Sequence, residues 1–338
     1  MTVDLRSDTV TLPNSDMLTA MTSASVGDDG RTSSDGRTED PTVRKLEDRA
    51  AQLTGKSTAL FVPSGTFGNM LGVLAQSRGS SPIWVRERAH ILTSEKALFS
   101  SELFGRSCTE YSQLAEVPAT PPSEGSLLLV ENTVSHDAGR PLSSQELDVL
   151  SHLHSAGWMI HMDGARLFNA AVSTGESADN IAASCDSVTF CLSKGLGAPI
   201  GSVLCGSSQT IARARQLRKQ LGGAMRQAGY VAAAGLIALT DRNIHMLADD
   251  HRKARILYEA IGQIADGSLR CETNIISVHL LSPIAKRVMD LLEQRGFLVR
   301  ALSDNELRIL THRDVTDEDA RLAGEATAAC IDAAAKEN

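Results

Sequence analysis

Two rhythms alternate along most of this chain. Short apolar runs (Thr58–Val62, Ile83–Val85, Ser126–Glu131, Trp158–Met162, Ser187–Leu192 and Ser202–Cys205) are separated by longer stretches with apolar residues at helical spacing. The runs are too short for helices and predict buried strands. Between them, Thr42 to Thr54 opens on Pro41 and closes at Gly55, a helix follows the turn Pro63-Ser64-Gly65-Thr66 to about Gln76, and Glu146–Ala156 closes at Gly157. Strands alternating with helices predict an α/β fold around a mostly parallel sheet. Residues 14–24 read as a helix after Pro13, whereas residues 27–40 hold no large apolar side chain and predict an exposed, mobile loop. A helix-rich stretch, 211–265, leads into a tail of strand Ile275–Leu280, helix Ile284–Glu293, strands Leu298–Arg300 and Leu307–Leu310, and helix Asp317–Ala335. The expected division is an N-terminal arm (1–25), a large domain (26–245) and a small C-terminal α+β domain (246–338).

Composition narrows the class. At 338 residues, with 42% hydrophobic and 22% charged side chains, the chain has room for two packed units. A net charge of −8, no basic block and only 4% aromatic residues argue against nucleic-acid binding. No apolar run approaches the roughly 20 residues of a membrane span, and Met1–Arg6 lack a signal-peptide core. Cys108, Cys185, Cys191, Cys205, Cys271 and Cys330 are scattered with no C-x-x-C pair, which predicts reduced thiols rather than a disulfide frame or a zinc site. The expectation is a soluble, cytoplasmic protein without a metal.

The candidate chemistry gathers at strand ends, where open parallel sheets bind ligands. Lys194, in Ser193-Lys194-Gly195-Leu196-Gly197, follows one strand, and Asp163, in Asp163-Gly164-Ala165-Arg166, ends another. A lysine that can form a Schiff base and a carboxylate that can keep a pyridine nitrogen protonated are what pyridoxal 5'-phosphate (PLP) requires. The alternative for the second motif is a buried structural Asp–Arg pair. Arg166 is also suited to bidentate binding of a substrate carboxylate. Ser64, Gly65 and Thr66, between strand and helix, offer amides and hydroxyls to a phosphate. His90 follows a strand and is placed to stack on a planar ring or to act as a hydrogen-bonding group. His136 lies on the same rim, Arg226 sits in a glycine-rich turn within reach of phosphate, and Arg308 is either a carboxylate ligand or an ordinary exposed strand residue.

Several segments occur in a telling order: Asp4-Leu5-Arg6-Ser7-Asp8-Thr9-Val10-Thr11, Gly27-Asp28-Asp29, Glu39-Asp40-Pro41-Thr42-Val43, Pro63-Ser64-Gly65-Thr66, Glu131-Asn132-Thr133, His161-Met162-Asp163-Gly164-Ala165-Arg166, Cys191-Leu192-Ser193-Lys194-Gly195-Leu196-Gly197 and Met225-Arg226-Gln227-Ala228-Gly229. Together they resemble the L-threonine aldolase (β-eliminating lyase) family of fold-type I PLP enzymes. The resemblance implies a homotetramer, a dimer of dimers with sites at a subunit interface. It implies Lys194 as the cofactor-bearing lysine, Asp163 on the pyridine nitrogen, His90 stacked on the ring, Gly65 and Thr66 at the phosphate with Arg226 near it, and Ser7, Arg166 and Arg308 on the substrate carboxylate. It also implies retro-aldol cleavage of an L-β-hydroxy-α-amino acid to glycine and an aldehyde. This chain departs from the pattern at the side-chain end of the substrate. Loop 30–38 is long and lacks a tyrosine, Ile91-Leu92-Thr93-Ser94 lacks one too, and Val134 stands where the family has a histidine, with His136 the nearest replacement. Retro-aldol cleavage needs a base for the β-hydroxyl proton, and His90, His136 or a water are the candidates. Another PLP reaction, β-elimination or racemisation, is the alternative, because Lys194 would then remove the α-proton and no hydroxyl base is needed.

Overall fold

A computed structural model describes residues 2–337 apart from 78, 80 and 266. Its largest element is a seven-stranded sheet in the order Thr58–Val62, Ser202–Gly206, Ser187–Cys191, Met159–Asp163, Leu127–Glu131, Ile83–Arg86, Thr109–Tyr111. Only Ser202–Gly206 runs antiparallel to its neighbours; the remaining pairings are parallel. The predicted apolar runs form the five inner strands and the edge strand Thr58–Val62, and three of them are buried along their whole length. The edge strand Thr109–Tyr111 was not foreseen; it is three residues long, with two of them exposed, so it carries no apolar signature.

The C-terminal part forms a second, four-stranded antiparallel sheet: Arg300–Ser303, Glu306–Leu310, Ile275–Leu280, Gly267–Cys271. Helices Leu247–Ile261, Ala285–Gln294 and Asp317–Glu337 pack around it and enclose a separate apolar core. The tail strand expected at 298–300 resolves into two. Phe297–Leu298 pairs in parallel with Val3–Asp4, and Arg300–Ser303 joins the antiparallel sheet. Leu5 is fully buried in this second core, while the helix Ser15–Thr22 lies on the large unit against Gly229–Ala238. The N-terminal segment therefore runs from one core to the other. Among the described residues no helix is long and apolar enough to cross a membrane, and all six cysteines are unpaired.

Loop 27–40 corrects the sequence expectation. Its tip is exposed, but Asp29, Thr38 and Asp40 are buried at its base. Asp40 caps the helix Pro41–Thr54 through the amides of Thr42 and Val43, both at 3.0 Å, and its other oxygen accepts from Gly27 at 3.0 Å and Gly229 at 2.9 Å. Four amide donors offset the burial of this carboxylate. Asp29 pairs with buried Arg218 at 3.0 Å, and Arg218 also donates to the Phe61 carbonyl at 2.6 Å. Charged residues that look like loop polarity in sequence thus fasten the loop to the sheet.

Truncating Arg218 to Ala leaves the Asp29 charge buried and unpaired. This is expected to lower the unfolding free energy by about 3–5 kcal/mol, seen as a lowered urea midpoint. Arg321→Ala removes a solvent-exposed pair with Glu318 and Glu325 and should leave the midpoint close to wild type.

Candidate active site

The strand register brings the candidate residues together. Glu131 and Asp163 are direct neighbours at the ends of parallel strands, and Asp163 lies beside Thr189 on the strand that leads to Lys194. Beyond these ends is a cavity of about 350 Å³ lined by Ser7, Ser64, Gly65, Thr66, His90, Asp163, Arg166, Lys194 and Arg308. The lysine loop turns at Gly197, whose φ of +82° favours glycine, and Arg313 from the C-terminal part donates to the carbonyls of Gly195 and Leu196.

One side of the cavity is rich in carboxylates. Asp163 is held by the Ala165 amide at 3.0 Å. Burial raises its pKa, nearby Glu95 adds to that, and Lys194 and His90 oppose it. Burial, followed by the adjacent Asp163, pushes Glu131 up to about 7, although Glu131 accepts from the His90 amide at 2.5 Å. No arginine or lysine forms an ion pair with Asp163 among the described residues. A protonated ring nitrogen would supply the missing cation. The Ser64 hydroxyl caps the helix Gly65–Gln76 by accepting from Phe67 at 3.2 Å, which leaves the first amides, Gly65 and Thr66, facing the cavity for an anion. This donor set fits PLP: a lysine amine, an acceptor for the ring nitrogen and a helix N-terminus for phosphate.

The opposite side is cationic. Arg166 does not pair with Asp163. It forms a bidentate bridge to Asp8 (Nε–Oδ2 2.8 Å, Nη2–Oδ1 2.7 Å), with both groups buried. Burial opposes ionisation of Asp8, yet Arg166, Lys194 and Asn274 together hold its carboxyl well below the usual range. The bridge leaves Nη1 of Arg166 without an Asp8 contact. Arg308 is buried rather than an exposed strand residue. Its one described bond is a long one from Nη1 to Ser135 Oγ, 3.4 Å, and its Nε is buried without a partner. Burial, with Arg166 and Arg300 close by, lowers it to about 10. A buried guanidinium with a free donor is a site waiting for an anion. Ser7 lies on the same wall, its hydroxyl accepting from Thr9 at 3.0 Å.

Two candidates are not brought in. Arg226 is exposed and reaches Asp28 at 3.2 Å, outside the cavity lining. His136 is half-buried, and burial, then Arg88 and Arg308, lower its pKa. Thr133 and Ser135 line the cavity, whereas Val134 between them belongs to the apolar core. Sequence reading missed Asp8, Asn69, Glu95, Thr133, Ser135 and Arg300. The alternation around Val134 was a usable signal for Thr133 and Ser135. Glu95 was hidden because it meets His90 through a π-helical turn, Ile91–Glu95, whose five-residue spacing is not a helical or strand period.

Comparisons with known proteins identify the family. Residues 4–280 match the family model described as beta-eliminating lyase. The chain is 37% identical to low-specificity L-threonine aldolase 1 of Arabidopsis thaliana, covering 94% of this chain and 93% of that protein. It is 35% identical to the low specificity L-threonine aldolase of Escherichia coli K12, covering 94% and 95%. Among solved structures, a threonine aldolase of Leishmania major superposes with a TM-score of 0.78 at 20% identity over 97% and 99% of the two chains. A serine palmitoyltransferase of Sphingomonas wittichii does so with a TM-score of 0.76 at 17% identity over 99% and 88%; these two likenesses speak for a shared fold-type I architecture. With a family match over most of its length and relatives above 30% identity across 94% of it, the chain belongs to the beta-eliminating lyase family.

Proposed function

We propose that this protein is a PLP-dependent aldolase that cleaves an L-β-hydroxy-α-amino acid, threonine, allo-threonine or a relative of these, to glycine and an aldehyde. The observation that carries the reading is a single cavity with Lys194, Asp163 and the Gly65–Thr66 amides at one end and the partnerless donor of Arg308 at the other. Lys194 would be the attachment point, Asp163 would hold the ring nitrogen, His90 would lie against the ring, and Ser64, Gly65 and Thr66 would hold the phosphate. When bound, the cofactor draws electrons from the bonds at Cα of the attached amino acid.

The chain's own residues decide which bond that is. Ser7, Arg166 and Arg308 grip the carboxylate and so fix rotation about the bond to nitrogen. Asp8 keeps Arg166 in place by occupying Nε and Nη2. With Val134 in the core and His136 outside the lining, His90 is the histidine positioned to accept the β-hydroxyl proton. The named activity of the relatives supports retro-aldol cleavage over elimination. We further propose a cytoplasmic homotetramer, a dimer of dimers. Six unpaired cysteines support a reducing compartment, and exposed Arg226, outside the lining of its own cavity, supports a site shared between copies.

Purified protein supplied with PLP is expected to be yellow and to release glycine from L-threonine, L-allo-threonine or L-phenylserine. Lys194→Ala should lose both the visible band and the product, and ammonia with a keto acid in place of glycine would reassign the reaction to elimination. Arg308→Leu removes a charge-assisted bond to the carboxylate; KM should rise about 10- to 100-fold in steady-state kinetics. Sedimentation should give a mass of four chains.

A further inference from the structure

A line of side-chain hydrogen bonds connects the packed core to the cavity, and it can run in only one direction. The helix Gly65–Gln76 lays Gly68, Asn69, Gly72 and Gln76 against the sheet. A Cβ on residue 72 would stand 2.4 Å from Cε1 of His161, so the glycine makes room for that ring. Gln76 Nε2 donates to the Gly72 carbonyl at 2.9 Å and to Ser187 Oγ at 2.6 Å. A carbonyl can only accept, which assigns the nitrogen end of the Gln76 amide. Ser187 Oγ lies 2.6 Å from His161 Nδ1; its other side-chain neighbour, Gln76 Nε2, is a donor, so Nδ1 is the acceptor available to the hydroxyl proton. His161 Nε2 then carries the ring proton and donates to Asn69 Oδ1 at 3.2 Å. Asn69 Nδ2 turns to both oxygens of Glu95 at 3.4 Å. His90 Nδ1 approaches Glu95 Oε1 from the other side at 3.2 Å.

The two ends constrain the line independently. It begins at a carbonyl and finishes at a carboxylate, neither of which has a proton to give. Burial also lowers His161 to about 4, so at neutral pH the ring has one proton and cannot donate from both nitrogens. The same logic acts on His90. Facing the Glu95 carboxylate, its Nδ1 must be the protonated nitrogen, and Nε2, which no described residue bonds, is the acceptor.

We infer that Asn69, His161 and Ser187 are positioning residues: through Glu95 they fix the His90 tautomer so that Nε2 is the proton acceptor presented to substrate. The consequence for turnover rests on the aldolase reading above; the tautomer itself does not. Asn69 lines the cavity while His161 and Ser187 are buried outside its lining, and their effect is transmitted by orientation, as outer partners orient catalytic histidines elsewhere.

The test uses the PLP-loaded protein with ¹⁵N-labelled histidine. Two-bond nitrogen–proton NMR correlations report which ring nitrogen is protonated, and His90→Gln and His161→Gln identify the two rings. The expected result is Nδ1–H at His90 and Nε2–H at His161. In Asn69→Leu the His90 signals should shift toward a mixture of tautomers, with kcat down about 10-fold and KM within about twofold. Ser187→Thr keeps the hydroxyl and should retain the wild-type signature, while Ser187→Ala should not. An Nε2–H tautomer at wild-type His90, or an unchanged His90 signature in both Asn69→Leu and Ser187→Ala, overturns the inference even where glycine is produced. Conversely, the predicted tautomers in a protein that forms no glycine from any β-hydroxy substrate would uphold the inference and refute the aldolase reading.

Discussion

The bridge between Asp8 and Arg166 is the interaction on which the site depends. Asp8 follows a strand that pairs with Phe297–Leu298 of the C-terminal part, and Arg166 follows a strand end of the large sheet. Asn274, at the head of the antiparallel strand Ile275–Leu280, donates to the same Asp8 at 3.2 Å and to the Thr311 carbonyl at 3.0 Å. One buried carboxylate thereby joins the N-terminal segment, the large sheet and the small sheet. Such a pair adds little net stability, since desolvation offsets most of its attraction, but breaking it would strand a charge in the interior. Its value is geometric. It fixes how the two cores meet, and the cavity is the gap left between them.

That gap is electrically polarised. Asp163, Glu131 and Glu95 crowd one side, while Arg166, Arg308 and Arg300 stand on the other. Burial, and then like charges within each group, raise Glu131 and lower Arg308. Each side is therefore stabilised by a ligand of opposite charge: a protonated ring nitrogen at Asp163, a carboxylate at Arg308. Lys194 acts on both Asp8 and Asp163, so it lies within electrostatic reach of both poles. A cationic ring nitrogen held at Asp163 and an amino acid carboxylate held at Arg308 would match this distribution end to end.

Much of the arrangement was legible in the chain. Buried strands announce themselves by uninterrupted apolar runs, and loop residues at their carboxyl ends follow from topology, which is why Asp163, Lys194, His90 and the Ser64–Thr66 turn converge as expected. What escaped were features with no local period. Thr109–Tyr111 is an edge strand too short and polar to show a pattern, and Gly267–Cys271 alternates only between exposed and half-buried. The base of loop 27–40 is fixed by Asp29 and Asp40, whose partners Arg218 and Gly229 lie far along the chain. Arg308 was legible as a carboxylate-ligand candidate, but the alternative of an exposed strand residue could be set aside only once its burial was seen. The Arg166 partner could not be read either, since Asp8 stands 158 positions away.

The departure at Val134 explains why the core beneath the cavity matters to its chemistry. Val134 packs among apolar side chains, while its neighbours Thr133 and Ser135 line the cavity, the Ser135 hydroxyl beside Arg308. Hydroxyls can bind a substrate oxygen but are poor proton acceptors near neutral pH. In the proposed reaction the burden of accepting a proton therefore falls on His90. Its side chain is 42% exposed, and a ring so open to water would exchange between tautomers, only one of which can serve. A carboxylate five residues on removes that freedom, and a carboxylate is itself free to swing unless something holds it. The polar stripe of the helix Gly65–Gln76 supplies that hold. Buried polar groups in a helix–sheet interface carry a desolvation cost, which the hydrogen bonds along the line offset, and in the proposed reaction the same line gives His90 a defined proton position.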